Sequence, residues 1–334
     1  MTETAEWNAG SPPARLAALS RALGPGVMLA AAAIGGSHLV SSTQAGAIFG
    51  WGLLPVLIAV NIAKYPFFRA AVQYTGATGE TILHGYRRLG RATLATFLSI
   101  TLVTAVLNVA GVVLITASLA MMMGLPDVIS VGTAGIVTTW ICAGLVLANR
   151  FSLLNGVIKL VVLGLFVATI AALVFAVARF GGAVDPERTA HALDLASIGF
   201  VIQFMGWMPA PIDVAAWPSL WAREQEAQSG RHPGWRERSL DFHVGYVGTV
   251  ALGVVFLSLG KIVFGGSDEA VPMIGGEFAE DLIDLYVAGI GAWAAPLIAG
   301  AAFLTMFSTA LTCFDAWPRA LALSVVLLSD RAVE

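Results

Sequence analysis

Charged residues are scarce in this 334-residue chain, because Asp, Glu, Lys and Arg together make up only 12% of it. Soluble domains carry roughly 25% charged residues, so this deficit argues against a globular protein that is surrounded by water. Hydrophobic residues make up 57% of the chain and occur in long runs. The composition is therefore typical of an integral membrane protein, and the lipid bilayer is its first expected partner.

Cysteine is also scarce, and both cysteines, Cys142 and Cys313, lie inside apolar segments, so no disulfide framework is expected. The chain lacks a glycine-rich phosphate loop and the HExxH and CxxC motifs, which argues against an enzyme and against a bound cofactor. Basic residues are scattered among short loops, so nucleic acid is not an expected partner. Residues 1–23 contain no apolar core of a cleaved signal peptide and are interpreted as a cytoplasmic tail.

Eight apolar segments predict membrane spans, since a spanning helix needs about 20 apolar residues. The segments cover approximately residues 24–48, 53–71, 93–122, 129–147, 153–177, 196–221, 242–264 and 294–314. The predicted fold class is therefore all-α integral membrane.

The sixth segment contains the densest group of helix breakers. Pro209 and Pro211 lie near its centre, and each removes a backbone donor and clashes with the preceding turn. Asp213 follows directly, although a carboxylate at the centre of a span costs about 2.5–3.5 kcal/mol on the insertion scale. A broken helix with a charge at this depth indicates a binding site. The alternatives are a packing kink and an Asp213 that is hydrated near the cytoplasmic end.

The first segment carries Gly35 and Gly36 at the depth where a spanning helix should be most regular. Glycine tolerates a backbone that leaves helical geometry, although small residues also allow membrane helices to pack closely. His38 follows the glycines, and Ser41 and Ser42 share its helical face. His38 is equally compatible with a ligand or proton carrier and with a structural histidine that satisfies its own hydrogen bonds.

Polar stripes occur on two further segments. Thr101, Thr104 and Asn108 lie on one face of the third segment. The eighth segment carries Thr305, Ser308, Thr309, Thr312 and Asp315 within one helical arc. Each stripe is compatible with an aqueous pathway, and equally with hydroxyl groups that bond the backbone or a neighbouring helix. Trp-Pro-Arg at residues 317–319 is predicted to end the eighth segment.

The distribution of arginine predicts the orientation in the membrane. With the N-terminus inside, nearly all loop arginines face the cytoplasm, whereas Arg179, Arg188 and the acidic segment 267–284 lie outside. Lys64 and Arg69 in the second segment are interpreted as snorkelling toward the cytoplasmic side, without a role in a site. The expected location is a cell (inner) membrane, with several spans and a cytoplasmic N-terminus.

Two interrupted spans that are five helices apart are the pattern of the LeuT-type inverted-repeat transporters. These transporters bind their substrate near the middle of the membrane, between the two breaks. We therefore predict that the first and the sixth span each consist of two half-helices. The backbone should be unwound at residues 35–37 and 208–211.

Local sequence resembles the Nramp (natural resistance-associated macrophage protein) family of metal-ion transporters from Gly24 to Asp315. The resemblance rests on Gly24-Pro-Gly26, the break eight residues later, Leu125-Pro126 after the third span, and Met208-Pro209. It implies that residues 24–181 form a first five-helix repeat and residues 194–334 a second, inverted repeat. The second repeat would stop after its third helix, so a truncated chain is the first interpretation, ahead of helices supplied by a partner.

The resemblance also implies a ligand set, with several substitutions. Where the family has Asp-Pro-Gly-Asn, residues 35–38 read Gly-Gly-Ser-His, and where it has Met-Pro-His, residues 208–210 read Met-Pro-Ala. The backbone-carbonyl ligand of the family corresponds to Met205. In the third span, the aspartate and glutamate of the family's proton pathway correspond to Asn108 and Gly111.

The predicted function is a secondary membrane transporter that moves a divalent metal cation by alternating access, with ion coupling left open. His38 nitrogen and Met208 sulfur suit late first-row metals, and Asp213 would supply the hard charge. Backbone carbonyls near Gly35 and Met205 would complete the site. Metal binding should be weaker than in typical relatives, since the aspartate of the first span is missing.

Two other functions remain open at this point. The first is a carrier of a small organic solute such as an amino acid, whose carboxylate would be held by backbone N–H groups at Gly35 and Gly36. The second is a membrane protein without transport, such as a sensor or an incomplete relic. The sequence makes no prediction about the oligomeric state.

Overall fold

The computed structural model describes residues 24–124, 129–148, 151–180, 197–264, 283 and 295–329. Within these residues, all regular elements are helical. In this described part of the chain, five helical segments are long and apolar enough to cross a membrane: Pro25–Thr78, Arg91–Met122, Ile198–Ser229, Trp235–Val263 and Ile298–Ser329. The chain is therefore a helical, multi-pass membrane protein.

The first part of the chain is an interrupted helix followed by a continuous one. Its elements are α1 (Pro25–Ala33), a π-helical turn (Gly36–Ser42), α2 (Thr43–Phe49), a short 3₁₀ turn (Gly50–Leu53) and α3 (Leu54–Thr78). Ile34 and Gly35 have backbone angles outside the helical region, and the π turn follows them directly. We call residues 34–42 the first interruption. The first span is therefore interrupted as predicted, but the backbone leaves helical geometry at Ile34 and Gly35, whereas Gly36 and Ser37, which were also predicted to be unwound, lie in the π turn.

The second interruption lies in the segment that contains the two prolines. The next elements along the chain are α4 (Ile82–Leu89), α5 (Arg91–Met122), α6 (Val131–Leu147) and α7 (Phe151–Phe180). They are followed by α8 (Ile198–Trp207), a 3₁₀ turn (Ile212–Ala216), α9 (Trp217–Ser229), α10 (Trp235–Phe264) and α11 (Ala295–Ser329). Residues 208–211 between α8 and the 3₁₀ turn are not helical, as predicted, and we call them the second interruption.

Helix α10 is the central support of the interrupted first segment, because it packs against α1, the π turn and α2 in succession. Glycines bring the backbones into direct contact at both ends of this segment. A side chain at any of four positions would collide with the backbone of the facing helix: Gly26, Gly46, Gly245 and Gly260. Small residues allow this kind of close approach between membrane helices. Both half-helices are therefore fixed against the same partner.

Helix α11 corrects one prediction, because it continues through Pro318 to Ser329 and does not end at residues 317–319. Arg319 donates to the Asp315 carboxylate across one turn, at 2.8 Å, and so supports the helix on both sides of the proline. At the far end, Arg87 and Arg91 donate to the carbonyl groups of Leu327 and Leu328. These contacts between distant parts of the chain stabilise a helix that the local sequence alone would end.

Several predicted segments lie outside the described residues. They are the tail 1–23, the turn at residues 125–126, and residues 267–282 of the acidic segment. Between the sixth and seventh predicted spans, only a short non-helical connection remains, because α9 extends to Ser229 and α10 begins at Trp235.

Candidate substrate site between the two interruptions

The first interruption is stabilised largely by side chains of its own segment. Helix α1 ends at Ala33, whose carbonyl oxygen accepts a hydrogen bond from the Ser37 hydroxyl at 2.5 Å. The same oxygen lies 2.9 Å from Nδ1 of His38. These two polar side chains satisfy a carbonyl that has lost its helical partner, which membrane protein backbone requires.

His38 also links the first interruption to α10. The residue is only 1% exposed, and its Nε2 lies 2.9 Å from the carbonyl oxygen of Thr249. Each ring nitrogen therefore faces a backbone carbonyl. Nδ1 also lies 2.7 Å from the Ser37 hydroxyl. A neutral imidazole has one N–H, so it donates to one of the two carbonyls. Of the two readings of His38 from sequence, this geometry matches the structural one, since both ring nitrogens already have protein groups within hydrogen-bond distance.

The glycines of the first interruption are in close contact with two other helices. A Cβ atom at Gly35 would lie 2.6 Å from the Thr309 hydroxyl of α11, and one at Gly36 would lie 3.3 Å from the Trp207 ring of α8. Thr309 itself donates to the carbonyl of Ala31 at 3.0 Å. The absence of side chains at both glycines thus lets α8 and α11 approach the break.

The two interruptions touch each other. The Ser37 hydroxyl lies 3.3 Å from the carbonyl oxygen of Pro209, and the Ser42 hydroxyl donates to the sulfur of Met208 at 3.6 Å. Met208 is fully buried, and its peptide bond to Pro209 is cis. The two breaks predicted from separate parts of the sequence therefore form one junction.

Lys64 of α3 binds the second interruption. Its Nζ donates to the carbonyl oxygens of Met205 at 2.8 Å, Gly206 at 2.7 Å and Ala210 at 3.0 Å. The Met205 carbonyl would pair with the N–H of residue 209 in a continuous helix, but a proline there has none. The snorkelling interpretation of Lys64 is therefore wrong: the ammonium group replaces backbone donors that the break has removed.

Asp213 lies at the start of the 3₁₀ turn and is 2% exposed. Its Oδ2 accepts hydrogen bonds from the Thr104 hydroxyl of α5 and from the indole N–H of Trp317 of α11, both at 2.9 Å. Its Oδ1 is buried and makes no hydrogen bond among the described residues. The carboxylate thus joins three elements and keeps one oxygen available to accept a further bond.

A cavity of about 40 Å³ lies between the interruptions. Both breaks contribute to its wall, together with α5, α9 and α11; the lining includes Gly36, Ser37, Asn108, Trp207, Ala210, Pro211, Val214, Trp217, Thr309 and Trp317. This volume holds a few water molecules or one small ion, since a single water needs roughly 10–15 Å³ by the same measure. The indole N–H of Trp217 is buried there and has no partner among the described residues.

The residues predicted for the site surround this cavity unequally. Gly35, His38, Met208 and Asp213 are each the sequence neighbour of a lining residue, but do not line the cavity themselves. Met205 is farther out: its side chain is 41% exposed and its carbonyl binds Lys64. Among the described residues, no group of three or more His, Cys, Asp and Glu side chains is arranged to hold a metal ion.

The predicted pathway residues divide into two sets. Asn108 and Thr309 line the cavity. The hydroxyl groups of Thr305, Ser308 and Thr312 donate to carbonyl oxygens of their own helix at 2.7–2.8 Å, which is the alternative that the stripe left open. Only the first set is therefore in contact with the candidate site.

A cluster of charged residues lies at the start of α1. The Asp241 carboxylate of α10 accepts hydrogen bonds from the backbone N–H groups of Gly24 at 2.8 Å and Gly26 at 2.7 Å. Nearby, the buried Glu226 of α9 forms ion pairs with Arg223 and Arg238 at 2.8 and 2.6 Å. Asp241 thereby caps the helix N-terminus from a different helix, where a negative charge is favourable.

The sequence reasoning missed Lys64 and the tryptophans of the cavity. The signal for Lys64 was available, because Pro209 leaves the Met205 carbonyl without a donor and the second predicted span carries a lysine in its middle. Nothing in the local sequence around Trp317 indicates a partner, since the Asp213 carboxylate that it binds is 104 residues away.

Comparison with known proteins gives a clear relationship. The chain is 40% identical over 301 residues to the uncharacterized protein PM0681 of Pasteurella multocida (strain Pm70). The match covers 89% of this chain and 69% of the Pasteurella protein. The chain belongs to the family of that protein. No protein-family model matches the chain.

Proposed function

We propose that this member of the PM0681 family is a secondary transporter that carries a small substrate by alternating access. The observation that carries the proposal is one cavity whose wall is formed by two interrupted helices, in a multi-pass membrane protein. Transporters with discontinuous helices bind their substrates at such junctions. The proposal includes the LeuT-type inverted repeats, the relationship to Nramp transporters and the cytoplasmic N-terminus.

A divalent metal cation is the first candidate substrate. The cavity of about 40 Å³ is the size of an ion with a few waters, and too small for most organic solutes. Asp213 lies beside it, and its Oδ1 has no hydrogen-bond partner in the described part of the chain. Ser37 and Asn108, which have neutral oxygen atoms, line the wall. Oxygen ligands favour hard ions such as magnesium or manganese. His38 and Met208, which the sequence predicts as ligands, could bind a metal only after their present contacts are broken.

A small organic solute with a carboxylate is the second candidate. Two observations favour it. The Lys64 ammonium adds positive charge beside the junction, and the buried Trp217 indole N–H has no acceptor within the residues that the structure describes. The Lys64 ammonium repels a divalent cation and attracts a carboxylate. The Trp217 N–H offers nothing to a cation, but it can donate a hydrogen bond to a carboxylate.

Uptake into proteoliposomes tests the proposal and separates the two candidates. The purified chain is reconstituted, and uptake is measured across a panel of divalent ions and a panel of amino acids. We expect uptake of at least one divalent ion, which Asp213→Asn reduces at least about 10-fold because it removes the charge. Thr305→Ala is the matched control and should leave uptake unchanged, since this hydroxyl bonds only its own helix.

Each other outcome of the uptake experiment has a definite meaning. Uptake of an amino acid without uptake of any ion would replace the first candidate with the second. Metal uptake that is equal in the wild type and in Asp213→Asn would contradict the role of Asp213. Absence of uptake for both panels, in vesicles that contain folded protein, would contradict the transport proposal itself.

A further inference from the structure

The three hydrogen bonds of Lys64 assign the charge state of its side chain. Three carbonyl oxygens surround Nζ at 2.7, 2.8 and 3.0 Å. An ammonium group has three N–H donors and no lone pair, so it matches three acceptors. A neutral amine has two N–H groups and would direct its lone pair at the third carbonyl. The arrangement therefore fits the cationic form only.

The carbonyl groups themselves form a cation site. Met205 and Gly206 belong to the last turn of α8, where the helix dipole places partial negative charge. Ala210 adds a third carbonyl from the extended residues of the second interruption. In transporters with broken helices, unwound carbonyls and the C-terminal ends of half-helices bind the coupling cation. Here the same kind of site is filled by a side chain of α3.

The surroundings of Lys64 explain why the ammonium stays at this site. The lysine is half-buried, whereas Ile62 and Phe67 beside it on α3 are 67% and 57% exposed, as expected for a surface that faces lipid. A charge at this depth is costly unless protein groups replace its water. Moving Lys64 away would expose both a charge and three carbonyl groups to an apolar environment.

We propose that the Lys64 ammonium is a tethered cation that permanently occupies the carbonyl site of the second interruption. The protein therefore holds its second broken helix together without a dissociable sodium or potassium ion at this position. This assignment concerns the helix break and does not depend on which substrate the cavity binds.

Thermal unfolding of the purified full chain tests the assignment. Wild-type protein, Lys64→Ala and Lys64→Met are compared in detergent with choline, sodium, potassium or n-propylammonium chloride at equal ionic strength. The wild-type Tm should be the same in all four salts. Lys64→Ala should unfold roughly 5 °C lower in choline chloride and regain most of this loss with potassium or n-propylammonium, which replaces the deleted atoms.

Two variants serve as controls. Lys64→Met keeps the apolar stem and removes the charge, so it should lose Tm like Lys64→Ala but gain nothing from n-propylammonium. Arg69→Ala removes another cation of α3, one that lies 5.8 Å from the Tyr65 ring and not at the carbonyl site. Any loss of Tm in Arg69→Ala should not be restored by either cation.

The assignment is overturned by any of three results. The first is wild-type protein that gains Tm with sodium or potassium relative to choline, which would show a dissociable ion. The second is Lys64→Met that is as stable as the wild type. The third is Lys64→Ala that folds but responds equally to all four salts. If Lys64→Ala does not fold, the wild-type and Lys64→Met measurements still test the assignment of Lys64 to the carbonyl site. None of these readouts requires transport, so a failed uptake experiment leaves them unaffected.

Discussion

The two interruptions differ in the groups that satisfy their backbone. At the first interruption, Ser37 and His38 lie within the interrupted segment itself and contact the Ala33 carbonyl one turn away. At the second, the freed carbonyls are bound by Lys64 from a different helix, and Asp213 is held by two further helices. The first break is therefore largely self-contained, whereas the second is a junction that several helices complete with formal charges.

This difference indicates how each break responds to change. A self-contained break keeps its hydrogen bonds when neighbouring helices shift, because donor and acceptor move together. A break completed by α3, α5 and α11 exchanges its bonds when any of these helices moves. We therefore expect the second interruption to be the more responsive of the two to bound ions and substrate, and the first to depend mainly on close packing against α10.

The largest effect should come from removing the close packing of the first segment. Gly245→Leu places a side chain where the Gly26 carbonyl now lies, so α1 and α10 must separate. Over-packing of this kind should cost about 3 kcal/mol or more of the free energy of unfolding. Gly248→Leu is the control on the same helix, since a Cβ atom there meets nothing within 4 Å. Equal yields and Tm values for the two variants would contradict the described helix contact.

The next effect should come from the carboxylate of the second junction. Asp213→Ala removes the acceptor of the buried Trp317 N–H and the Asp213 contact of the Thr104 hydroxyl, which should cost about 2–3 kcal/mol. The Thr104 hydroxyl still has the Ile100 carbonyl of its own helix at 2.9 Å, so most of this loss should come from Trp317. Asp213→Asn retains one carbonyl oxygen and should cost less. Denaturation of the purified proteins should give free energies of unfolding that decrease in the order wild type, Asp213→Asn, Asp213→Ala. An Ala variant as stable as the Asn variant would show that these two donors do not depend on Asp213.

A smaller effect is expected from the polar side chain of the first interruption. His38→Ala removes the group that contacts the carbonyls of Ala33 and Thr249, and should cost about 1–2 kcal/mol. Ser41→Ala is the matched control three residues away, because its buried hydroxyl has no partner among the described residues. The control should be neutral or slightly stabilising. A His38 variant that unfolds at the Tm of this control would remove the structural role of the imidazole.

The smallest difference should separate two hydroxyl groups of α11. Thr309→Ala loses a hydrogen bond to α1, at the Ala31 carbonyl, and should lower the free energy of unfolding by about 1 kcal/mol. Thr305→Ala loses only a bond to its own helix, and should change it by less than about 0.5 kcal/mol. Tm measurements on both variants distinguish the two hydroxyl groups. A larger loss of Tm for Thr305→Ala than for Thr309→Ala would contradict the assignment of Thr309 to the cavity set and of Thr305 to the backbone set.

The positions of both breaks could be predicted from sequence because the cause is local. Pro209 and Pro211 remove donors wherever they occur, and Gly35 and Gly36 tolerate non-helical angles in any surroundings. The same local rule failed at Pro318, where α11 continues. The difference lies in distant contacts: Arg87 and Arg91, more than 200 residues earlier in the chain, bind the carbonyls at the end of that helix.

The partners within the candidate site could be predicted only in part. Asp213 and His38 are candidates because ionisable side chains are unusual inside membrane spans, and Met208 is a candidate because the resemblance to Nramp transporters implies it. Their actual contacts were not predictable, since Lys64 meets Met205 across 141 residues of chain and His38 meets Thr249 across 211. A polar side chain near a break either binds a substrate or satisfies the backbone groups that the break frees. The sequence of one segment cannot distinguish these two roles, because the partners lie on other helices.

The attachment of α1 and α2 to α10 has a mechanical consequence. The interrupted segment is attached to α10 at four points. These are the glycine contacts at both of its ends, the Thr249 carbonyl near its centre and the Asp241 carboxylate at the start of α1. Because α1 and α2 are attached to α10 at these four points, they cannot slide or rotate independently of it. We therefore expect α1, α2 and α10 to move as one rigid unit. Any movement of these half-helices relative to α3 must then be taken up in the connection that begins at Gly50, whose φ is 55°. A crosslink between α2 and α10 should leave any such movement intact, whereas one that spans Gly50 should arrest it.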